Sequence, residues 1–213
     1  QFAWRAGREA AAHTVHVGDD PQAVADGTAS TATVFSPEYE TALMLDATYY
    51  WKVTEVNDAE ALPAWDSDLW SFSTGSFVAV DDFEAYDDKD NRIYDSWLDG
   101  WEDNTNGAIV GYGEAPFAEQ TTVYGGEQSM PLAYDNAGGI TSEAERTFLT
   151  AQDWTKHGIT TLVVFFRGQA DNSPASLYLK INGTTIHFNG GAPATALPLW
   201  TQWNIHLATT GVN

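Results

Sequence analysis

Residues 177–188 read LYLKINGTTIHF, and this stretch decides the fold class. Leu177, Leu179 and Ile181 alternate with Tyr178 and Lys180, and after Asn182-Gly183 the alternation resumes through Ile186 and Phe188. Successive side chains of a strand point to opposite faces, so a period of two marks a half-buried strand rather than a helix. Asn-Gly accepts the positive φ angles of a type I′ turn, whose twist suits the two flanking strands. The stretch therefore predicts a β-hairpin turning at Asn182-Gly183.

Working outward, the same pattern recurs between Gly, Pro, Asn and Asp clusters. On either side it predicts strands near 129–135, 142–149, 160–167 and 200–207, with an opening strand FVAVDDFEAY from Phe77. Earlier in the chain it predicts HTVHVG from His13, a short piece near 33–35, residues 49–57 and residues 68–74. Helical periodicity is nearly absent, and only DWTKHG around Trp154 has the look of a helical turn. The chain is predicted to be all-β. Gly75-Ser76 is a breaker, which predicts a first module over 1–75 and a second over 76–213. Strands every 10 to 15 residues or so in the second suit a two-sheet jelly roll. In the first, Trp51 alternates in phase with Tyr49 and Val53 and is expected in a sandwich core.

The 213 residues hold 9 Lys and Arg against 30 Asp and Glu, a formal charge of −21, yet 13% are aromatic and only 18% charged. That combination describes a folded acidic chain rather than a disordered one. It argues against nucleic acid, which needs clustered cations, and against anionic membrane surfaces for the same reason. No apolar run approaches the ~20 residues of a bilayer span. The opening QFAWRAGREA lacks a signal-peptide core, so any export signal is expected upstream. Without cysteine there is no disulfide framework and no thiolate chemistry. The acidity itself reads either as solubility or as divalent-cation binding; the run Asp81, Asp82, Glu84, Asp87, Asp88, Asp90, Asn91 is the best metal candidate, although its spacing is not that of an EF-hand.

Alternation in the second module separates an apolar set, among them Leu162, Val164, Phe166, Ile181, Phe188, Trp203, Ile205 and Leu207, from an opposite set of Val163, Phe165, Arg167, Tyr178, Lys180, His187, Gln202, Asn204 and His206. The first is the expected inter-sheet core. The second mixes rings with planar hydrogen-bonding groups, the composition of a sugar-binding face, where a ring stacks on the C–H side of a pyranose while amides, Arg and His bond its hydroxyls. A solvated outer face with no ligand has much the same composition. Loops add Trp97 and Trp101 in SWLDGW, along with Tyr112, Tyr124 and Trp200. Trp97 and Trp101 read either as a stacking platform or as packing over a sandwich edge.

Signs of catalysis are weak. Glu143 and Glu145 share a strand face at about 7 Å, a separation within the range of paired glycosidase carboxylates, but the adjacent Arg146 favours a structural ion-pair role. The histidines His13, His16, His157, His187 and His206 show no metal-binding spacing, and no GxSxG elbow is present. Asn182-Gly183-Thr184 matches a glycosylation sequon, which the turn alone explains.

The first module, through AAAHTVHVGDDPQAV, ATYYWKVTEVN and DSDLWSFST, resembles a fibronectin type III-like domain of large exported proteins of planctomycete-type bacteria. The resemblance covers about residues 3–75 and implies a further strand upstream of Phe2. The second, through VDDFEAYDD, SWLDGW, GGEQSMPLAYDN, SEAERTF, DWTKHGITTLVVFFRG and LWTQWNIHL, is similar to the jelly-roll, galactose-binding-like and carbohydrate-binding modules that accompany such domains. It implies one more strand after the end of this chain. It also implies a structural calcium held by Asp82 and Glu84, with Asp135 or Asn136 as partners.

The expected protein is thus an immunoglobulin-like or fibronectin type III-like sandwich followed by a β-sandwich jelly roll, secreted or at the cell surface. The expected function is non-catalytic binding of a polysaccharide or glycan through Tyr178, Arg167, Lys180, His187, Gln202, Asn204, Trp97 and Trp101. The alternative is a structural or adhesive building block that docks on neighbouring modules or on copies of itself.

Overall fold

The computed structural model describes residues 1–102 and 106–211. It is rich in β-structure, with 31% of residues in strands and 10% in helices. The chain divides into two compact units, Gln1–Val78 and Ala79–Asn213.

In the first unit the strands are β1 (Phe2–Ala3), β2 (Ala12–Gly18), β3 (Ser30–Val34), β4 (Glu38–Tyr39), β5 (Thr48–Val56), β6 (Ala64–Asp66) and β7 (Trp70–Ser73), with one helical turn, α1 (Pro21–Ala25). The main sheet runs β3-β2-β5-β6, all antiparallel, and β7 pairs with the other half of β5. β6 and β7 are thus two halves of one edge strand. They part at Ser67, whose hydroxyl accepts from the Val53 N–H (2.9 Å) in place of a main-chain carbonyl. The face of β5 carrying Trp51 and Val53 meets the β1–β4 pair, where the Phe2 ring lies 5.1 Å from Trp51 and 5.6 Å from Phe72. Trp51 is half-buried.

The other face of β5 is covered by α1, which the sequence reading did not anticipate. Its signal was Asp20-Pro21: the aspartate side chain caps Gln22 N (2.8 Å) and proline fixes the first helical φ. Its own Val24 is fully buried, and beneath it lie the buried side chains of Lys52 and His16. His16 Nε2 sits 3.2 Å from the Thr54 hydroxyl, whereas its buried Nδ1 has no partner. Burial, and secondarily the Lys52 charge, holds the His16 pKa below the ordinary 6.5. The unfolded chain takes up this proton near 6.5 and the folded chain resists it, so the contribution is present above about pH 6.5 and lost as pH falls below it. The first unit is therefore expected to lose denaturant resistance between pH 7.5 or so and about 5, and His16→Gln is expected to flatten that part of the profile. Identical profiles for the two proteins would contradict this.

In the second unit, α2 (Ile93–Ser96) is followed by β8 (Trp97–Leu98), β9 (Ala108–Val110), β10 (Leu132–Tyr134), β11 (Glu145–Arg146), β12 (Thr161–Phe166), β13 (Tyr178–Ile181), β14 (Thr184–His187) and β15 (Thr201–His206). Among the described residues they form two-stranded antiparallel ladders: β8 with β11, β9 with β10, β12 with β15 and β13 with β14. The predicted hairpin is present, with Ile181 opposite Thr184 and positive φ at Asn182 (47°) and Gly183 (84°). The strand expected from Phe77 is absent. Asp81 Oδ1 instead accepts from Phe83 N (2.9 Å) and Asp82 Oδ1 from Glu84 N (3.2 Å), while Phe83 takes a φ of 65°. Aspartate side chains compete for the N–H groups a ladder would need, and here they win.

Two apolar centres hold this unit. Tyr86, Ile93, Val110 and Ala118 are buried together, with Phe83, Trp97, Phe117 and Met130 packed on them. Elsewhere Ile181, Trp203, Ile205 and Leu207 are buried, and the Phe188 ring meets Phe166 (4.9 Å) and Trp203 (5.7 Å) edge-on. These belong to the apolar set that alternation picked out.

Candidate functional site

The outward face of the β12–β15 ladder places Phe165 opposite Gln202 and Val163 opposite Asn204. On it the Tyr124 ring, from a loop, stacks on Phe165 with centroids 3.7 Å apart and planes 14° apart. Trp200, just before β15, meets Tyr124 edge-on at 5.9 Å. Tyr124 is 56% exposed even so, leaving its outer face to solvent. Beside the rings, Gln202 Nε2 donates to Asn204 Oδ1 (2.7 Å), and Arg167 Nε donates to the Pro198 carbonyl (2.8 Å). Aromatic rings, a paired amide and a guanidinium thus share one surface.

The loop carrying Tyr124 is fixed at both ends. At its base, Glu119 and Ser129 exchange main-chain hydrogen bonds of 3.0 and 2.8 Å. The Glu119 carboxylate also accepts from Thr122 N (2.9 Å), from the Thr121 hydroxyl (2.5 Å) and from the Tyr112 hydroxyl. The Thr121 hydroxyl first, then Tyr112, hold the Glu119 carboxyl down at about 2. It therefore stays ionised across the physiological range. At the far side, Glu84 Oε1 accepts from Glu127 N (3.0 Å) and Gln128 N (3.2 Å). Gly126, with φ of 75°, lets the backbone come this close, since a Cβ there would lie 2.2 Å from Glu84 Oε1.

The residues expected from sequence divide into two groups. Arg167, Gln202 and Asn204 lie on the ring-bearing face. Tyr178, Lys180 and His187 share the hairpin, and there the Tyr178 hydroxyl (2.5 Å) and the Lys180 ammonium (2.7 Å) both converge on Glu143 Oε1. Burial and that carboxylate push the Tyr178 hydroxyl up to about 12. His187 Nδ1 is 3.4 Å from the Ser176 hydroxyl, and its ring is 5.6 Å from that of Tyr178. Trp97 and Trp101 do not form a common platform. Trp97 packs against Phe83 and donates from Nε1 to Asp81 Oδ2 (2.8 Å), whereas Trp101 stands 70% exposed. The rings that do gather, Tyr124 and Trp200, were visible in the sequence only as loop aromatics. No local pattern brings residue 124 to residue 165.

The residues expected to hold calcium are occupied by main-chain donors in separate turns: Asp82 by Glu84 N, Glu84 by the loop just described, and Asp135 by Ala137 N (2.8 Å). Asn136 accepts from the Ser142 hydroxyl (2.7 Å). Among the described residues, no three His, Asp or Glu side chains are grouped so as to hold a metal ion. Asp82, Glu84 and Asp135 thus each serve a different turn or loop, and the structural calcium rests on the sequence resemblance alone. Of the paired acids, Glu143 has its carboxyl held below the usual range, first by Lys180 and then by Tyr178. That is the reverse of what a general acid needs. Arg146 pairs with Asp81 rather than with either glutamate.

Compared with known proteins, the chain matches no family model, no curated protein and no solved structure.

Proposed function

We propose that the second unit is a non-catalytic glycan-binding module and that its site is the outward face of the β12–β15 ladder. The observation that carries this reading is the Tyr124–Phe165 stack with Trp200 at its side, backed on the same surface by Gln202, Asn204 and Arg167. The exposed Tyr124 ring takes the C–H face of a pyranose, and the amides and guanidinium bond its hydroxyls. An open site of this kind binds weakly as a single copy and gains from multivalency.

In this reading the first unit is a fibronectin type III-like spacer and the second a jelly roll, both part of a secreted or cell-surface polypeptide. Support for the spacer is the β3-β2-β5-β6/β7 order with the β1–β4 pair across its face. Support for the jelly roll is the sequence resemblance together with its antiparallel ladders.

Isothermal titration of the full chain against a panel of soluble plant, algal and bacterial oligosaccharides tests the reading. One class is expected to bind. Tyr124→Ala should weaken it about tenfold, since ring stacking is worth ~0.5–1.5 kcal/mol beyond the apolar area it buries, and Trp101→Ala should leave it unchanged. Equal losses in the two variants, or none, would count against this face.

A further inference from the structure

Charge is unevenly placed along the chain. Residues 154–213 hold one acid, Asp171, against Lys156, Arg167 and Lys180, whereas residues 1–153 hold the other 29 acids and six basic residues. Strands β12, β13, β14 and β15 all lie in that nearly acid-free stretch. The ladder that bears the ring stack therefore carries no carboxylate of its own, on a protein of formal charge −21. The loop that lays Tyr124 on Phe165 reaches it within residues 121–126, TTVYGG, which are uncharged. Acids flank that stretch. The Glu119 carboxylate is taken up by Thr121, Thr122 and Tyr112, that of Glu84 by Glu127 N and Gln128 N, and Glu127 itself is exposed.

Of the three cations in the acid-poor stretch, Lys180 is paired with Glu143 (2.7 Å) and Lys156 lies before β12. Arg167 stands at the rings. It follows Phe166, which pairs with Thr201, so it lies at the same end of the ladder as Trp200. Two positions beyond Phe165 places it about 7 Å along the same face. Its Nε donates to the Pro198 carbonyl (2.8 Å), which steadies the guanidinium plane. Among the described residues its two terminal amines meet no acceptor, and Arg167 is in no ion pair. Those amines form an exposed edge that matches two oxygens of a planar or tetrahedral anion side by side. On a surface this acidic elsewhere, the nearly acid-free ladder is where an anion is least repelled.

We propose that the glycan taken by this face is an anionic one, whose carboxylate or sulfate is received by the terminal amines of Arg167 while a sugar ring stacks on Tyr124. The inference rests on the glycan-binding reading of the same face and adds the class of sugar. Tyr124 supplies the contact common to all pyranoses, and Arg167 supplies the discrimination, because a neutral sugar leaves its fork to water. Arg167 is then the residue that determines specificity.

Isothermal titration of the full chain tests this by comparing acidic oligosaccharides with neutral counterparts of the same backbone. One arm sets oligomers of galacturonate, glucuronate and mannuronate against their methyl esters. The other sets sulfated galactan oligomers against the desulfated form. At least one acidic oligomer is expected to bind about tenfold tighter than its neutral counterpart, and added salt should erode that advantage. The arm that shows it names the oxyanion. Arg167→Gln should bind both members of the pair about equally, and Arg167→Lys, which keeps the charge without the fork, should recover only part of the preference. Tyr124→Ala should weaken both members alike. Arg167 is exposed, so neither of its variants should move the unfolding midpoint much. Equal binding of acidic and neutral members, a neutral glycan bound while every acidic one is refused, or a preference that survives Arg167→Gln would each overturn the proposal and leave the glycan reading standing. No binding of any glycan would overturn both.

Discussion

Asp81→Ala is expected to destabilise the second unit by about 3–5 kcal/mol, the range for breaking a largely buried ion pair from one side. The Asp81 side chain is only 10% exposed. It accepts from Phe83 N (2.9 Å), the Tyr86 hydroxyl (2.8 Å), the Trp97 indole (2.8 Å) and the Arg146 guanidinium. Removing it strands one cation and two ring donors beside the core that holds Ile93 and Val110. Each buried donor without an acceptor costs about 1–3 kcal/mol, although the losses do not simply add. Asp81→Asn keeps the shape and one acceptor oxygen, and its cost should be smaller. Equilibrium unfolding in urea, followed by tryptophan fluorescence, reads both variants. A midpoint for Asp81→Ala indistinguishable from that of the parent would mean that the hub is not what ties the 81–97 segment to β11.

The second large effect belongs to the first unit. Lys52 is nearly buried beneath α1 and donates to Asp66 Oδ2 and to the Ala25 carbonyl, each at 2.8 Å. Asp66→Ala leaves that ammonium with the carbonyl alone and should cost about 2 kcal/mol. The figure sits below the usual range for fully buried pairs because the Asp66 side chain is 54% exposed and screened by water. Lys52→Met removes the charge but keeps the apolar stem, and should fall within about 1 kcal/mol of the parent. The Lys52 hydrogen bond first, then that from Thr54, hold the Asp66 carboxyl below its ordinary 3.8. Its contribution is therefore complete above that pH and lost as pH falls through the folded value. A Lys52→Met variant as unstable as Asp66→Ala would contradict this, because it keeps the stem and would show that the charged pair itself carries the interaction.

What the sequence disclosed follows from how local each cause is. The turn at Asn182-Gly183 and the alternation of β5 and β15 depend on neighbours one or two positions away, and they were legible. Arg167, Gln202 and Asn204 could be placed on one outward face by the same rule. Asp81 could not be read correctly, because its donors come from residues 83, 86, 97 and 146 and convert an expected strand into two turns. Glu84 caps a loop 43 residues away, a contact that no neighbouring residue signals. Lys180 and Tyr178 suited a sugar, but Glu143 engages both. Tyr124 was the hardest to foresee, since its stacking partner lies in a distant strand and its loop is set by carboxylates elsewhere.

The most direct test of glycan recognition is an NMR titration of the full chain with the oligosaccharide class that binds best. The account predicts that the largest shift changes fall on the Tyr124 and Phe165 rings, the Trp200 indole N–H and the Gln202 side-chain amide, with the Tyr178–His187 hairpin and Trp101 unmoved. Changes centred on the hairpin or on Trp101, or none with any glycan in a folded protein, would contradict it.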